Sequence, residues 1–215
     1  MSPRPRKVSD QEVFAAAYRA MQRLGPGELT LAEIAAEAGV TAGALAQRFG
    51  SKRALLLALA EGAAASAGDL LRGMRTTHRS PLGAVRAYAE CVAQLASSPA
   101  ALARNLAYLQ LDLADPDFRA HLARQGRATR EALLELIQEA EAVGELARGM
   151  DTRAVARTVE VALNGALFTW AFYHEGTAAR FLRGAVDAVL APYLPKRRRG
   201  RVKRLAQTSS AHRNR

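Results

Sequence analysis

The chain has 215 residues, of which 31 are Lys or Arg and 20 Asp or Glu, giving a formal net charge of +11. That length, with 49% hydrophobic residues, suffices for one large domain or two small ones around a buried core and argues against a disordered polymer. Alanine makes up about a fifth of the chain and isoleucine occurs only at Ile34 and Ile137. This bias toward helix formers and away from β-branched strand formers predicts an all-α fold.

The charge is unevenly placed. Residues 1–7 carry Arg4, Arg6 and Lys7, and residues 196–215 carry nine further Lys and Arg, with no acid in either segment. The remaining body holds 19 basic and 20 acidic residues and is close to neutral. Two polycationic tails on a neutral body suit a polyanionic partner, either nucleic acid or an anionic surface. The single cysteine, Cys91, excludes an internal disulfide framework and a Cys-based zinc module. The first residues lack the apolar run of a secretory signal, and the most apolar stretch, residues 54–68, is interrupted by Glu61 and reads as too short and too polar to span a bilayer. A cytoplasmic location with no membrane partner is the expectation.

Ser9 with Asp10 and Glu12 opens a first helix, whose apolar positions Val13, Phe14, Ala17, Met21 and Leu24 run to Gly25-Pro26-Gly27. Thr30 caps a short second helix over 31–38 ended by Gly39, and Thr41 caps a third over 42–49. Ser51 starts a long fourth helix from 52 to about 73. Ser80-Pro81 and Ser98-Pro99 open the fifth and sixth, ending near Ser97 and Leu113, because Pro is tolerated in a first helical turn. Asp115-Pro116 opens a seventh helix to Gly144, residues 151–174 an eighth, and residues 178–193 a ninth. No strand pattern or internal repeat is present. The organisation expected is a basic arm over 1–8, a unit of three shorter helices over 9–51, a larger helical unit over 52–195 and a basic tail over 196–215.

The most informative stretch is residues 30–52, TLAEIAAEAGVTAGALAQRFGSK. Two short helices joined tightly need a left-handed backbone at the turn, which Gly39 supplies, and a small residue at their crossing, which Ala35 supplies. Ile34, Ala38, Val40, Leu45 and Phe49 then face inward. The opposite face of the third helix carries Ala42, Gly43, Ala46 and Gln47, flanked by Ala44 and Arg48, so almost nothing bulky projects. A face this lean lets a helix sink into a DNA major groove, where Gln47 suits adenine and Arg48 suits guanine or phosphate. Thr30, Thr41 and Lys52 are candidate phosphate contacts.

Residues 29–56, LTLAEIAAEAGVTAGALAQRFGSKRALL, resemble the tetracycline-repressor (TetR) family of bacterial regulators, whose signature runs AGVT/S-x-G-x-L-Y-x-x-F-x-S/N-K. Ala46 stands where the family usually has Tyr, a phosphate and sugar contact in the family. The resemblance makes residues 9–51 the helix-turn-helix DNA-binding domain and residues 52–195 the effector-binding and dimerisation domain. The resemblance implies a homodimeric repressor that binds a near-palindromic double-stranded operator and leaves it when a small molecule binds among helices five to eight.

Polar or aromatic residues in the otherwise apolar later helices are the effector-pocket candidates. They are Tyr88 on helix five, Asn105, Tyr108 and Asp112 on helix six, and Phe118 and His121 on helix seven, with Cys91 and Arg124 beside them. Helix eight adds Asn164, Leu167, Trp170 and His174. A mostly apolar pocket for a small hydrophobic effector is expected. Helix eight is apolar nearly all round, and its small-residue side of Ala162, Gly165, Ala166 and Thr169 matches Leu182, Ala185 and Val189 of helix nine as a four-helix dimer interface. The four histidines lack metal-ligand spacing and no phosphate-binding Gly-rich loop follows a strand, so neither a cofactor nor catalysis is expected. The alternative is a helical protein that binds nucleic acid or an anionic surface non-specifically through its tails.

Overall fold

The computed structural model describes residues 8–195. Among these, nine polar side chains set where the nine α-helices begin. Helices α1 (Asp10–Arg23), α2 (Leu31–Ala38), α3 (Ala42–Phe49) and α4 (Lys52–Thr77) are capped by Ser9, Thr30, Thr41 and Ser51, whose hydroxyls each accept a hydrogen bond from the backbone N–H three residues on. At α1 the cap is reciprocal, because the Glu12 carboxylate accepts from the Ser9 N–H at 2.8 Å. Helices α5 (Pro81–Val92), α6 (Pro99–Ala114), α7 (Pro116–Ala142), α8 (Thr152–Tyr173) and α9 (Ala178–Leu190) start on Ser80, Ser98, Asp115, Asp151 and Thr177. Each cap satisfies one of the amide donors that a helix start leaves unpaired.

Several ends differ from the sequence expectation. α4 runs one turn past Gly73 and closes at His78, whose N–H donates to the Met74 carbonyl, with the Thr76 and Thr77 hydroxyls donating to the Gly73 and Met74 carbonyls. α5 ends at Val92 and tightens into a 3-10 turn over Ala93–Ala96. α9 stops at Leu190 and passes into a second short turn, Ala191–Tyr193.

Two apolar cores result. The smaller joins Val13, Ala17 and Ala20 of α1 to Leu29, Ile34, Ala35, Leu45 and Leu55, and takes in Tyr108 from α6. The larger is built from α4 through α9 around residues such as Leu71, Val85, Leu133, Ile137, Val159, Trp170 and Leu182. α4 therefore belongs to both, its first turns to the small core and its last to the large one.

α7 runs parallel to α4, joined by ion pairs from Arg53 to Asp115 and Asp117 at one end and from Arg72 to Glu135 and Arg75 to Glu139 at the other. Gly68 is packed against α7, where an added Cβ would lie 3.5 Å from the Ala128 carbonyl and 2.9 Å from the Arg72 guanidinium of its own helix. Contrary to the expectation from residues 54–68, α4 as a whole is long and apolar enough to cross a membrane, with a mean hydropathy of 1.5 over its best window. It is nonetheless a helix of the core, with Leu55, Ala64, Gly68 and Leu71 buried and its arginines paired along α7.

Candidate nucleic-acid interface and ligand cavity

Gly39 makes the α2–α3 corner possible. It sits in the left-handed region at φ 70°, ψ 33°, and the bonds Val40 N–H to Ala35 O (3.0 Å) and Gly39 N–H to Ala36 O (3.3 Å) close α2 behind it. Ile34, Ala35 and Leu45 are buried beneath the corner, while Phe49 is half-buried with its ring 6.0 Å from that of Phe14. This leaves Ala42, Gly43, Ala44, Ala46, Gln47 and Arg48 exposed on α3, as the apolar spacing predicts. The unpaired amides of the first turns of α2 and α3 add partial positive charge there.

The two basic candidates are not free in this arrangement. The Arg48 guanidinium donates to the Val8 carbonyl at 2.6 Å, pairs with the Asp10 carboxylate and lies 5.5 Å above the Phe49 ring. It is drawn to the start of α1 by Asp10, twenty residues before Thr30. The Lys52 ammonium, expected as a point charge for phosphate, donates to the carbonyls of Leu29 (2.7 Å) and Pro26 (3.3 Å) and so staples the α1–α2 loop to α4. The Thr30 and Thr41 oxygens accept the capping bonds at 3.1 Å and keep their protons for an outside acceptor. Among the described residues Gln47 hydrogen-bonds to none, so it is the long polar side chain the α3 face can offer.

A cavity of about 710 Å³ lies where the helix-turn-helix meets the larger core. Tyr18 and Met21 of α1 form one wall, and Leu56, Leu59, Ala60 and Ala63 of α4 another. α6 contributes Tyr108, Leu111 and Asp112, and the start of α7 contributes Pro116, Phe118 and Gln125. Its rim is ionic: Arg53 donates to both oxygens of Asp115 at 2.8 to 3.0 Å and to Asp117 at 2.7 Å, with its guanidinium 5.8 Å above the Phe118 ring. The Arg53 bonds hold the Asp115 carboxyl below the usual carboxylate range. Asp112 goes the other way, its pKa raised first by burial and then by the neighbouring Asp115 charge.

The same cavity is tied to α1 by hydrogen bonds. The Tyr108 hydroxyl donates to the Leu24 carbonyl at 2.9 Å and Arg104 Nε donates to the Gln22 carbonyl at 3.0 Å. Burial pushes the Tyr108 phenol up to about 12.

Of the ten pocket candidates, the structure brings Tyr108, Asp112 and Phe118 together and sends the other seven elsewhere. Asn105 donates to the Leu95 carbonyl at 2.7 Å, His121 meets Arg124 at 2.6 Å, and Tyr88 is half-buried with its phenol raised chiefly by burial. Leu167 and Trp170 are packed in the larger core, Trp170 donating to the Gly176 carbonyl and stacked 4.8 Å from His174, while Asn164 is exposed. Sequence reasoning missed the α1 and α4 walls. The available signal was the α4 stripe Leu56, Leu59, Ala60 and Ala63, at the i, i+3, i+4, i+7 spacing of one helix face.

The residues expected at a dimer face fall into three groups within the single chain. Leu182 and Ala166 are buried within the chain, and Ala162, Ala185 and Val189 are half-buried. Gly165 and Thr169 are exposed, and with them Val161, Phe168 and Phe172, Phe172 to 77%. Val161, Gly165, Phe168 and Phe172 follow i, i+4, i+7, i+11 and form one outward apolar stripe on α8.

Residues 13–59 match the family model described as bacterial regulatory proteins, tetR family. No curated protein matches the chain. The fold is similar to a TetR transcription regulator from Haloarcula marismortui ATCC 43049 (TM-score 0.68, 19% identity, covering 86% of this chain and 98% of that one). It is also similar to SmeT, the repressor of the Stenotrophomonas maltophilia multidrug efflux pump SmeDEF (0.62, 22%, 88% and 92%). A third similar structure is FadR from Bacillus subtilis in complex with stearoyl-CoA (0.64, 16%, 85% and 98%). The capped helix-turn-helix thus carries the match to the tetR family of bacterial regulatory proteins over residues 13–59, and the nine helices of the described residues take the fold of TetR transcription regulators.

Proposed function

We propose that the chain is a ligand-responsive repressor that binds a near-palindromic operator as a homodimer and is released when a small, largely apolar molecule enters the cavity at the joint. The observation that carries this reading is the α3 face, where Gln47 stands exposed beside Ala42, Gly43, Ala44 and Ala46 over a buried Leu45, with Arg48 drawn aside to Asp10. Such a face can enter a major groove deeply enough for Gln47 to pair with an adenine edge, with Thr30 and Thr41 and the helix starts on phosphate. Arg48 reaches DNA only by exchanging its Asp10 partner, and Lys52 acts by holding the loop.

Two copies are needed, because one short helix reads too few bases for a genomic address. The outward α8 stripe supports a two-fold contact, since an apolar strip of this kind is ordinarily covered by a partner. Two recognition helices so related meet successive major grooves about 34 Å apart. The cavity touches α1, α4, α6 and α7 at once, so an occupant that shifts α4 or α6 moves the reading helix through the bonds at Leu24, Gln22 and Leu29. FadR, with its stearoyl-CoA, is a similar fold that takes a ligand with a long apolar part.

Selection from a random duplex library with the purified full chain tests the reading. One enriched near-palindrome is the expected result. A flat enrichment profile overturns it in favour of tail-driven, non-specific binding.

A further inference from the structure

The cavity is apolar over most of its wall, yet it contains a carboxylate with no partner among the described residues. Asp112 on α6 is half-buried, and among the described residues it makes no hydrogen bond or ion pair. Two cations line the same space and neither serves it. Arg53 is divided between Asp115 and Asp117, and Lys52 is bonded to the Leu29 and Pro26 carbonyls. Burial is the larger penalty on the charged form of Asp112, and the like charge of Asp115 adds to it. An acid kept half out of water beside another acid is an unfavourable arrangement unless something positive arrives.

We propose that the ligand of this cavity is a bulky monovalent organic cation, whose charge is neutralised by Asp112 and whose apolar body fills the space between α4 and α6. Tyr18, Tyr108 and Phe118 supply aromatic surface suited to a delocalised or quaternary cation. An anionic ligand has the opposite problem, since both cationic side chains already have partners that it would have to displace. This inference rests on the reading of the cavity as the effector site, but the two can fail separately.

The test uses the purified full chain, with tetraphenylphosphonium as the cation and neutral triphenylphosphine oxide as a probe of similar aryl surface. Calorimetry compares wild type, Asp112→Asn and Asp69→Asn, the last removing an equal charge from α4 outside the cavity. Asp112→Asn is expected to weaken the phosphonium about tenfold, the scale of one charge-assisted contact, while leaving the oxide unchanged. Asp69→Asn leaves both unchanged, and the Asp112→Asn melting temperature does not fall, because a desolvated charge has been removed. Absence of phosphonium binding at millimolar concentration, equal binding by Asp112→Asn, or an equal loss in Asp69→Asn overturns the proposal. If the phosphonium binds through Asp112 but saturating amounts leave DNA affinity unaltered, the ligand class stands and the effector role of the cavity falls.

Discussion

Tyr108→Phe removes a single oxygen from the joint between the reading head and the rest of the chain. Tyr108 is 8% exposed, and its hydroxyl makes one bond, to the Leu24 carbonyl at 2.9 Å. The ring still packs, so the loss is that of one neutral hydrogen bond, about 1 kcal/mol. For a chain of this size that corresponds to a fall in melting temperature of about 2–4 °C at fixed protein concentration. The pH dependence gives a second, independent signature. The folded-state phenol titrates near 12, above its ordinary value near 10, so its contribution is whole below about pH 10 and is lost as pH rises toward 12. The stability difference between wild type and Tyr108→Phe is therefore largest at neutral pH and shrinks above about pH 10. Denaturant melts of both proteins from pH 8 to 11 measure it. A difference that stays constant across that range, or no difference at pH 8, refutes the account of Tyr108 as a buried tie between α6 and α1.

Three further outcomes follow from the geometry. Gly39→Ala costs about 1–2 kcal/mol of stability, read from denaturant melts; because no atom lies within 4 Å of the added Cβ, the cost is purely that of φ 70°, and an unchanged midpoint contradicts it. If two copies pair through the outward α8 stripe as proposed, Phe172→Asp with Phe168→Asp shifts that dimer toward monomer in analytical ultracentrifugation without lowering helix content, whereas Leu182→Asp unfolds the chain because Leu182 is buried within it; dimers that survive the double substitution place the contact elsewhere. Removing residues 196–215, which lie outside the described residues, flattens the dependence of log affinity on log salt and leaves the preferred DNA site unchanged, and a changed consensus counts against a purely electrostatic role for the tail.

Much of the fold was readable because its determinants are local. Ser9, Thr30, Thr41 and Ser51 cap the helices they precede in sequence, Gly39 takes the one backbone conformation the corner needs, and Leu45 and Ala35 fall on the buried side by simple helical spacing. The cavity was not readable in this way. Its walls come from α1, α4, α6 and α7, and whether Leu56 or Leu59 touches a neighbour or lines a void depends on distances between helices far apart in sequence. Picking polar residues in apolar helices found Tyr108 and Asp112 but also Asn105 and Trp170, which use their polar atoms on backbone carbonyls inside the chain. α8 posed a different problem. A helix apolar on every side does not reveal which side its own chain covers, and here the small-residue side is partly taken by the larger core while Val161, Phe168 and Phe172 face out. The partners of Arg48 and Lys52 are likewise long-range choices, made by Asp10 and by the loop carbonyls at Pro26 and Leu29.

The central claim is that α3 reads base sequence through Gln47 on an otherwise bare face. The most direct measurement compares wild type and Gln47→Ala for affinity to the selected operator and to a scrambled duplex of equal length at one salt concentration. The account predicts a loss of about 1–3 kcal/mol on the operator and an unchanged affinity for the scrambled duplex, so that the ratio between them collapses. Equal losses on both duplexes, or no loss on the operator, contradict it.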